Sequence, residues 1–355
     1  MNLKTTRFLV PFLALALLGQ GCLSSSSSTA AGPDGGVFQS TDLLTWKQLK
    51  TFNSGDKIGS IADVGTVSVA MDPNDSKAIY LGTMVNGLLY TLDGGVTWQG
   101  VKQMNLNAGR VYSVAVDPKD KCTVYATRAN QVLKTQTCLR DWTQAYFDPR
   151  TDKAFTALAV DHYNSQVVYA ATSDGDILRS EDGATSWKSV YRIDGVQITT
   201  LVVDPKDSRV ILAATAGSGI AKSVDGGSSW TLIYKPLQEF DGARRVTKLY
   251  ADPTETGRFY AISKYGIVRS DDSGESWTAV QLPTPPGSIE IKAMAVHPKD
   301  SNKLVYATAT SIVSSEDGGQ TWTPKKLPTK RGVSFLAYTD DAQPVLLLGA
   351  PPAAK

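Results

Sequence analysis

Histidine is almost missing from this chain of 355 residues: there are two, His162 and His297. Imidazole-based metal sites and nucleophile partners are thereby set aside, and both residues read as solvated members of polar turns. Cysteine is nearly as scarce, with Cys22, Cys122 and Cys138, which excludes a disulfide-dense scaffold or a site built from paired Cys-x-x-Cys motifs. No apolar run is long enough to cross a bilayer as a helix; Phe8 to Leu18 covers 11 residues, where roughly 20 are needed. The chain also lacks net charge. The formal charge of +2 resides in Lys4 and Arg7, so the remainder is neutral and gives no reason to expect nucleic acid as a partner. No HExxH, phosphate-binding glycine loop or Ser/His/Asp arrangement occurs, so neither a cofactor nor a metal is expected. What is present, 42% hydrophobic residues with 30 glycines and 7 tryptophans, suits a folded chain with a substantial core.

The N-terminus has the organisation of an export signal: positive charge, a short apolar stretch, then Gly19-Gln20-Gly21-Cys22 and the serine run Ser24 to Ser28. Small residues before a cysteine resemble the bacterial lipoprotein signal. That resemblance implies removal of residues 1–21, lipidation of Cys22, and attachment to a membrane by the lipid alone. Residues 22–35 then form a Ser-rich flexible tether. The expected location is extracytoplasmic, at the cell surface or in the periplasm, with secretion as the alternative if Cys22 is unmodified.

All seven tryptophans recur in one motif. The segments are STDLLTW (40–46), TLDGGVTW (91–98), TQTCLRDW (135–142), SEDGATSW (180–187), SVDGGSSW (223–230), SDDSGESW (270–277) and SEDGGQTW (315–322). Six have Asp at the third position: Asp42, Asp93, Asp182, Asp225, Asp272 and Asp317. Each segment ends in a tryptophan: Trp46, Trp98, Trp142, Trp187, Trp230, Trp277 and Trp322. Each lies between short alternating runs, where Asp can accept backbone N–H groups, Gly supplies positive φ and Trp covers apolar surface. A second repeat precedes each complete copy, as in SVAMDPNDSKAIYLGT and TLVVDPKDSRVILAAT, and reads as strand, polar turn and strand.

Four short strands in about 45 residues are the unit of a propeller blade. The N-terminal piece holds only an outer pair of strands and the C-terminal piece only an inner pair. Together they complete a seventh blade and leave the ring without a free edge. The expected fold is an all-β, seven-bladed propeller over residues 36–350, with a tail over 351–355.

The Ser-x-Asp-x-Gly-x-Thr-Trp pattern resembles the Asp-box, or BNR, repeat. Proteins with this repeat include sialidases, sortilin-type receptors, xyloglucanase-type glycoside hydrolases and photosystem II assembly factors. The resemblance implies the propeller but not one activity, because the repeat serves enzymes and binding proteins alike. The Asp-box carboxylates read as turn-builders spread around the rim, whereas glycosidic hydrolysis needs two carboxyl groups about 5 to 9.5 Å apart. No Arg-Ile-Pro motif of the sialidase type occurs, and xyloglucanase-type enzymes use two propellers where this chain has one. The expectation is therefore a monomeric, non-catalytic protein-binding or assembly module at the cell envelope, with a carbohydrate binder or glycoside hydrolase as the alternative and a photosystem II assembly factor as a narrower version of the first.

Two details refine that expectation. Cys122 and Cys138 flank a hairpin centred on Asn130, so they face each other and are expected to form a disulfide; two free thiols are the alternative. The bridge would staple the one turn whose Asp is replaced, by Thr137. The connections between blades, at 50–65, 100–110, 145–154, 190–197, 233–245, 280–289 and 325–334, gather on one face and carry an excess of seven positive charges. Arg110, Arg150, Arg192, Arg244, Arg245, Lys325, Lys326, Lys330 and Arg331, with Tyr191 and Tyr234, are the candidate binding residues. Such a face suits an acidic segment of an envelope protein or an anionic glycan.

Overall fold

Residues 33–353 are described by a computed structural model, in which the two recurring motifs alternate as antiparallel sheets. The lipoprotein-type signal, Cys22 and all but the end of the tether lie outside the described residues. Six blades follow one another along the chain, and each runs outward from the channel in sequence order. Blade one, for example, comprises Thr66–Asp72, Asp75–Thr83, Leu88–Thr91 and Gln99–Gly100. Blade two begins at Val111, blade three at Phe155, blade four at Ile198, blade five at Val246 and blade six at Ala293. The seventh is composite: Val37–Ser40 pairs antiparallel with Leu346–Gly349, Val37 opposite Gly349 and Ser40 opposite Leu346. Phe335–Tyr338 lies inside that pair and Lys47–Leu49 outside it. Closure by main-chain hydrogen bonding between the two ends of the sequence is thus as the repeat predicts.

The Asp-box turns show how the motif works. In blade four, Ser223 Oγ donates to Asp225 Oδ1 at 2.8 Å and accepts the Gly227 N–H at 2.8 Å, while Asp225 accepts the N–H and hydroxyl of Ser229 at 2.8 and 2.6 Å. A hairpin tip that would otherwise leave its donors unpaired is satisfied by two side chains. Gly227 has φ of 79°, and a Cβ there would lie 2.7 Å from the Tyr169 ring of blade three. The turn therefore packs directly on the preceding blade. The Tyr169 hydroxyl completes the contact by donating to the Gly226 carbonyl at 2.7 Å.

Cores lie between blades, where tryptophans and the faces of adjacent sheets meet. Trp98 is fully buried among Leu49, Ile79, Leu81 and Leu89. Near the channel the blades are also joined by hydroxyls: Thr156 Oγ1 donates to the Ile198 carbonyl at 2.6 Å and Thr199 Oγ1 to the Val246 carbonyl at 3.0 Å. At the far end of each inner strand, Asp72, Asp117, Asp161, Asp204 and Asp252 are buried and accept N–H groups of their own turns. His297 occupies the same place in blade six, and its Nδ1 accepts the Lys299 N–H at 3.2 Å. The 50–65 connection reads in the sequence as a loop between blades. It instead contains a hairpin, Thr51–Asn53 with Ile58–Ser60, and the one helical turn described is the 3-10 segment Pro236–Glu239.

Cys122 and Cys138 come together with Cα atoms 3.9 Å apart. Cys138 and Leu139 have φ of 52° and 68°, the left-handed conformation that Gly226 and Gly227 adopt in blade four. Thr137 retains one function of the lost Asp by accepting the Asp141 N–H at 2.8 Å. A covalent tie would offset the strain of left-handed backbone at two residues with side chains. Non-reducing peptide mapping of the full chain should recover residues 122 and 138 as one linked species; alkylation of both without prior reduction is the contrary result.

The Asp-box carboxylates are held well below the usual carboxylate range. Asp182, Asp225 and Asp317 are lowered to about 2, chiefly by the hydroxyls of Ser186, Ser229 and Thr321, and Asp42 to about 2 by the N–H groups of Thr45 and Leu44. In Asp93 and Asp272 burial opposes hydroxyl and N–H donation, and the net shift is still downward. A depressed folded-state value means stability that is complete above the unfolded value of about 4 and is lost as the pH falls toward about 2. The urea midpoint should decline through that window, and Asp182→Asn should be less stable than the native chain at neutral pH with a shallower acid decline.

Candidate central binding site

Six of the seven inner strands surround a central cavity of about 480 Å³. Hydroxyls dominate its polar lining, among them Ser68, Ser113, Thr200 and Thr247. Two cations join them: Arg110, whose guanidinium lies 4.5 Å from the Tyr112 ring centre, and Lys248. No carboxylate lines this cavity. Lys248 stands where the repeat places Ser68, Ser113, Ala157 and Thr200. Its stem is partly exposed to the channel, while its ammonium is desolvated and donates to the Ser334 carbonyl. Burial pushes this lysine down to about 8, because an ammonium without a nearby anion is disfavoured away from water. Lys248 is not among the residues expected from sequence, although the repeat alignment marks it as the one charged residue at that position.

Arg244 and Arg245 are exposed and immediately precede the inner strand Val246–Ala251, whose Thr247 and Lys248 line this cavity, as the exposed Arg110 precedes Val111–Val116. None of the three has a carboxylate partner among the described residues. The structure separates the other candidates from them. Arg150 contacts Asp148 at 2.5 Å and Asp176 at 2.8 Å, and Arg192 contacts Asp176 at 2.5 Å and Asp174 at 3.3 Å. The carboxylates hold both guanidinium groups above their ordinary value, Asp148 contributing most for Arg150 and Asp176 for Arg192. Asp174 and Asp176 come from the turn joining the second and third strands of blade three. That class of turn shares the face with the connections between blades and brings carboxylates to their arginines, so this sector is not basic.

Arg331 is likewise engaged, with Asp34 and Asp63 each at 3.0 Å, and Asp34 also accepts the Lys330 N–H. Lys325 and Lys326 belong to the outermost strand Thr323–Lys326, on the side wall, and Lys325 reaches the Asp42 carbonyl at 3.2 Å. Tyr191 is stacked on Trp230 with ring centres 6.0 Å apart, inside the seam between blades, whereas Tyr234 is exposed. Of the expected cations outside the strands, Arg110, Arg244, Arg245 and Lys330 are exposed without a carboxylate partner among the described residues, and Arg110 shares the lining of the cavity with Lys248.

A closed ring of four-stranded blades with Asp-box turns defines a BNR-type seven-bladed propeller. Residues 61–339 match the family described as photosynthesis system II assembly factor YCF48, and the chain belongs to that family. A solved structure titled "YCF48 bound to D1 peptide" superimposes with a TM-score of 0.63 at 20% identity, covering 82% of this chain and 94% of that one. The YCF48 structure from Cyanidioschyzon merolae gives 0.59 at 17% identity, with 81% and 96% covered. A GH74 xyloglucanase from Xanthomonas campestris gives 0.64 at 18% identity, with 81% of this chain but 51% of the enzyme covered. At these identities the likeness is one of fold. In sequence, the chain is 29% identical over 189 residues to xyloglucanase Xgh74A of Acetivibrio thermocellus, a match covering 44% of this chain and 22% of that enzyme.

Proposed function

We propose that this protein is a non-catalytic assembly or docking module, held at the outer side of a membrane by a lipid on Cys22, that captures an acidic segment of an envelope protein at the channel mouth. The observation that carries this reading is the central cavity lined by Arg110 and Lys248 without a carboxylate, flanked by the exposed Arg244 and Arg245. Unpaired guanidinium groups beside a concave opening favour carboxylate-bearing ligands through charge-assisted, bidentate hydrogen bonds. The peptide-bound relative supports a protein ligand, and family membership supports an assembly role; both come to this chain as inference. An anionic glycan is the competing ligand for the same cations.

Captured in detergent from its native host, the full chain should retain a partner protein that is lost when Arg110, Arg244 and Arg245 are reversed to Glu. Reversal of Lys325 and Lys326 on the side wall should leave capture unchanged. Equal recovery with both reversed forms overturns the reading. Membrane attachment has its own test: the native chain should incorporate labelled fatty acid and fractionate with membranes, and Cys22→Ser should do neither.

A further inference from the structure

Three departures from the sevenfold repeat meet at one place, outside the central cavity. The first is the hairpin before blade one, whose strand Thr51–Asn53 lies along the blade's edge: the Trp98 N–H donates to the Thr51 carbonyl at 2.8 Å and the Asn53 N–H to the Trp98 carbonyl at 2.7 Å. The second is the connection leaving blade one, where Met104 and Asn105 both have left-handed backbone, with φ of 50° and 57°. The third is the glycine-free turn at Cys138 and Leu139. A groove of about 710 Å³ lies among them, and Phe52, Gln103 and Leu139 come to its wall from the three in turn. It shares no lining residue with the central cavity. Left-handed backbone at residues with side chains is costly and tends to persist where a site requires it.

We propose that this groove is a binding site for an uncharged oligosaccharide. Its polar lining is dominated by amides, from Asn53, Asn86, Gln99, Gln103 and Asn107. An amide side chain both donates and accepts, as does every sugar hydroxyl, so the pairing is chemically matched without charge. Three of these amides are already oriented: Gln99 Oε1 accepts the Tyr90 hydroxyl at 3.0 Å, Asn53 Oδ1 accepts the Gly55 N–H at 2.8 Å, and the Gln103 amide donates to the Arg140 carbonyl. Phe52 and Tyr90 add aromatic surface, suited to the C–H face of a pyranose ring.

The floor is preformed, since Ile61, Val64, Leu89 and Val101 are buried parts of the blade packing. Lys102 is the one charged residue in the lining. Neither acidic nor basic ligands are selected, and the paired carboxyl groups of glycosidic hydrolysis are not supplied. The volume falls within the range of about 300–1,000 Å³ usual for small-ligand sites. An extended peptide is the less favoured occupant. It would add to the sheet edge through its backbone, and at Trp98 that edge is already hydrogen-bonded to Thr51 and Asn53.

The test is calorimetric titration of the full chain in detergent with cellohexaose, maltohexaose and mannohexaose, and with hexagalacturonate as the charged counterpart. At least one neutral hexamer should bind saturably, and Gln99→Ala with Asn107→Ala should weaken it by about tenfold or more without changing the melting temperature. Asn107→Trp, which fills the groove from an exposed position, should give the same loss. Arg110→Glu with Arg245→Glu should leave sugar binding intact. No binding of any neutral hexamer at about 10 mM, equal binding by the groove variants, or preference for hexagalacturonate overturns the proposal.

Discussion

The fold depends on a carboxylate that serves its own turn. At each intact Asp-box the Asp accepts two or more local donors, which permits a tight hairpin with left-handed residues at its tip. Because that tip carries glycine, as at Gly95 and Gly227, it can approach Leu49 or Tyr169 of the preceding blade closely. The tryptophan that follows then lies in the seam. A local hydrogen-bonding problem and the blade-to-blade interface are therefore solved by the same seven or eight residues, and repetition of that solution carries the sheets around a closed ring.

Where the repeat is broken, the break has a structural consequence beyond the turn. Replacement of Asp by Thr137 keeps the acceptor for the Asp141 N–H, and left-handed Cys138 and Leu139 take the positions of glycine. Leu139 stands where blades one, four, five and six carry glycine, and its side chain becomes part of a groove wall. The inserted hairpin at 51–60 and the strained connection at Met104 and Asn105 border the same groove. Irregularity is concentrated around blade one's outer edge, while blades three to six keep the repeat closely.

Electrostatics divide the candidate face into two kinds of cation. Arg150, Arg192 and Arg331 are committed to carboxylates brought in by other turns or by the N-terminal segment, so they fasten connections together. Arg110, Arg244 and Arg245 have no such partner among the described residues and precede inner strands of the cavity that holds the desolvated Lys248. Charge on a surface loop is therefore a poor guide to binding until the neighbouring turns are known, because an ion pair removes both the charge and the freedom of the side chain.

The blade number, the strand order and the closure by both ends of the chain were legible in the sequence, because propeller blades are built from local hairpins and each hairpin advertises its turn. The spacing of seven tryptophans and the partial repeats at 37–49 and 335–349 were sufficient for that. That Cys122 and Cys138 come opposite one another was legible for the same reason, as both flank one hairpin. The hairpin at 51–60 was hidden, since its strands are three residues each and lack the repeat's punctuation. The site was less accessible still. Lys248 is separated in sequence from Arg110 by three blades, and Asp174 and Asp176 reach Arg150 and Arg192 from a different class of turn. Which charges are free and which are paired is set by distances across the ring, and those distances exist only once the blades have closed on one another.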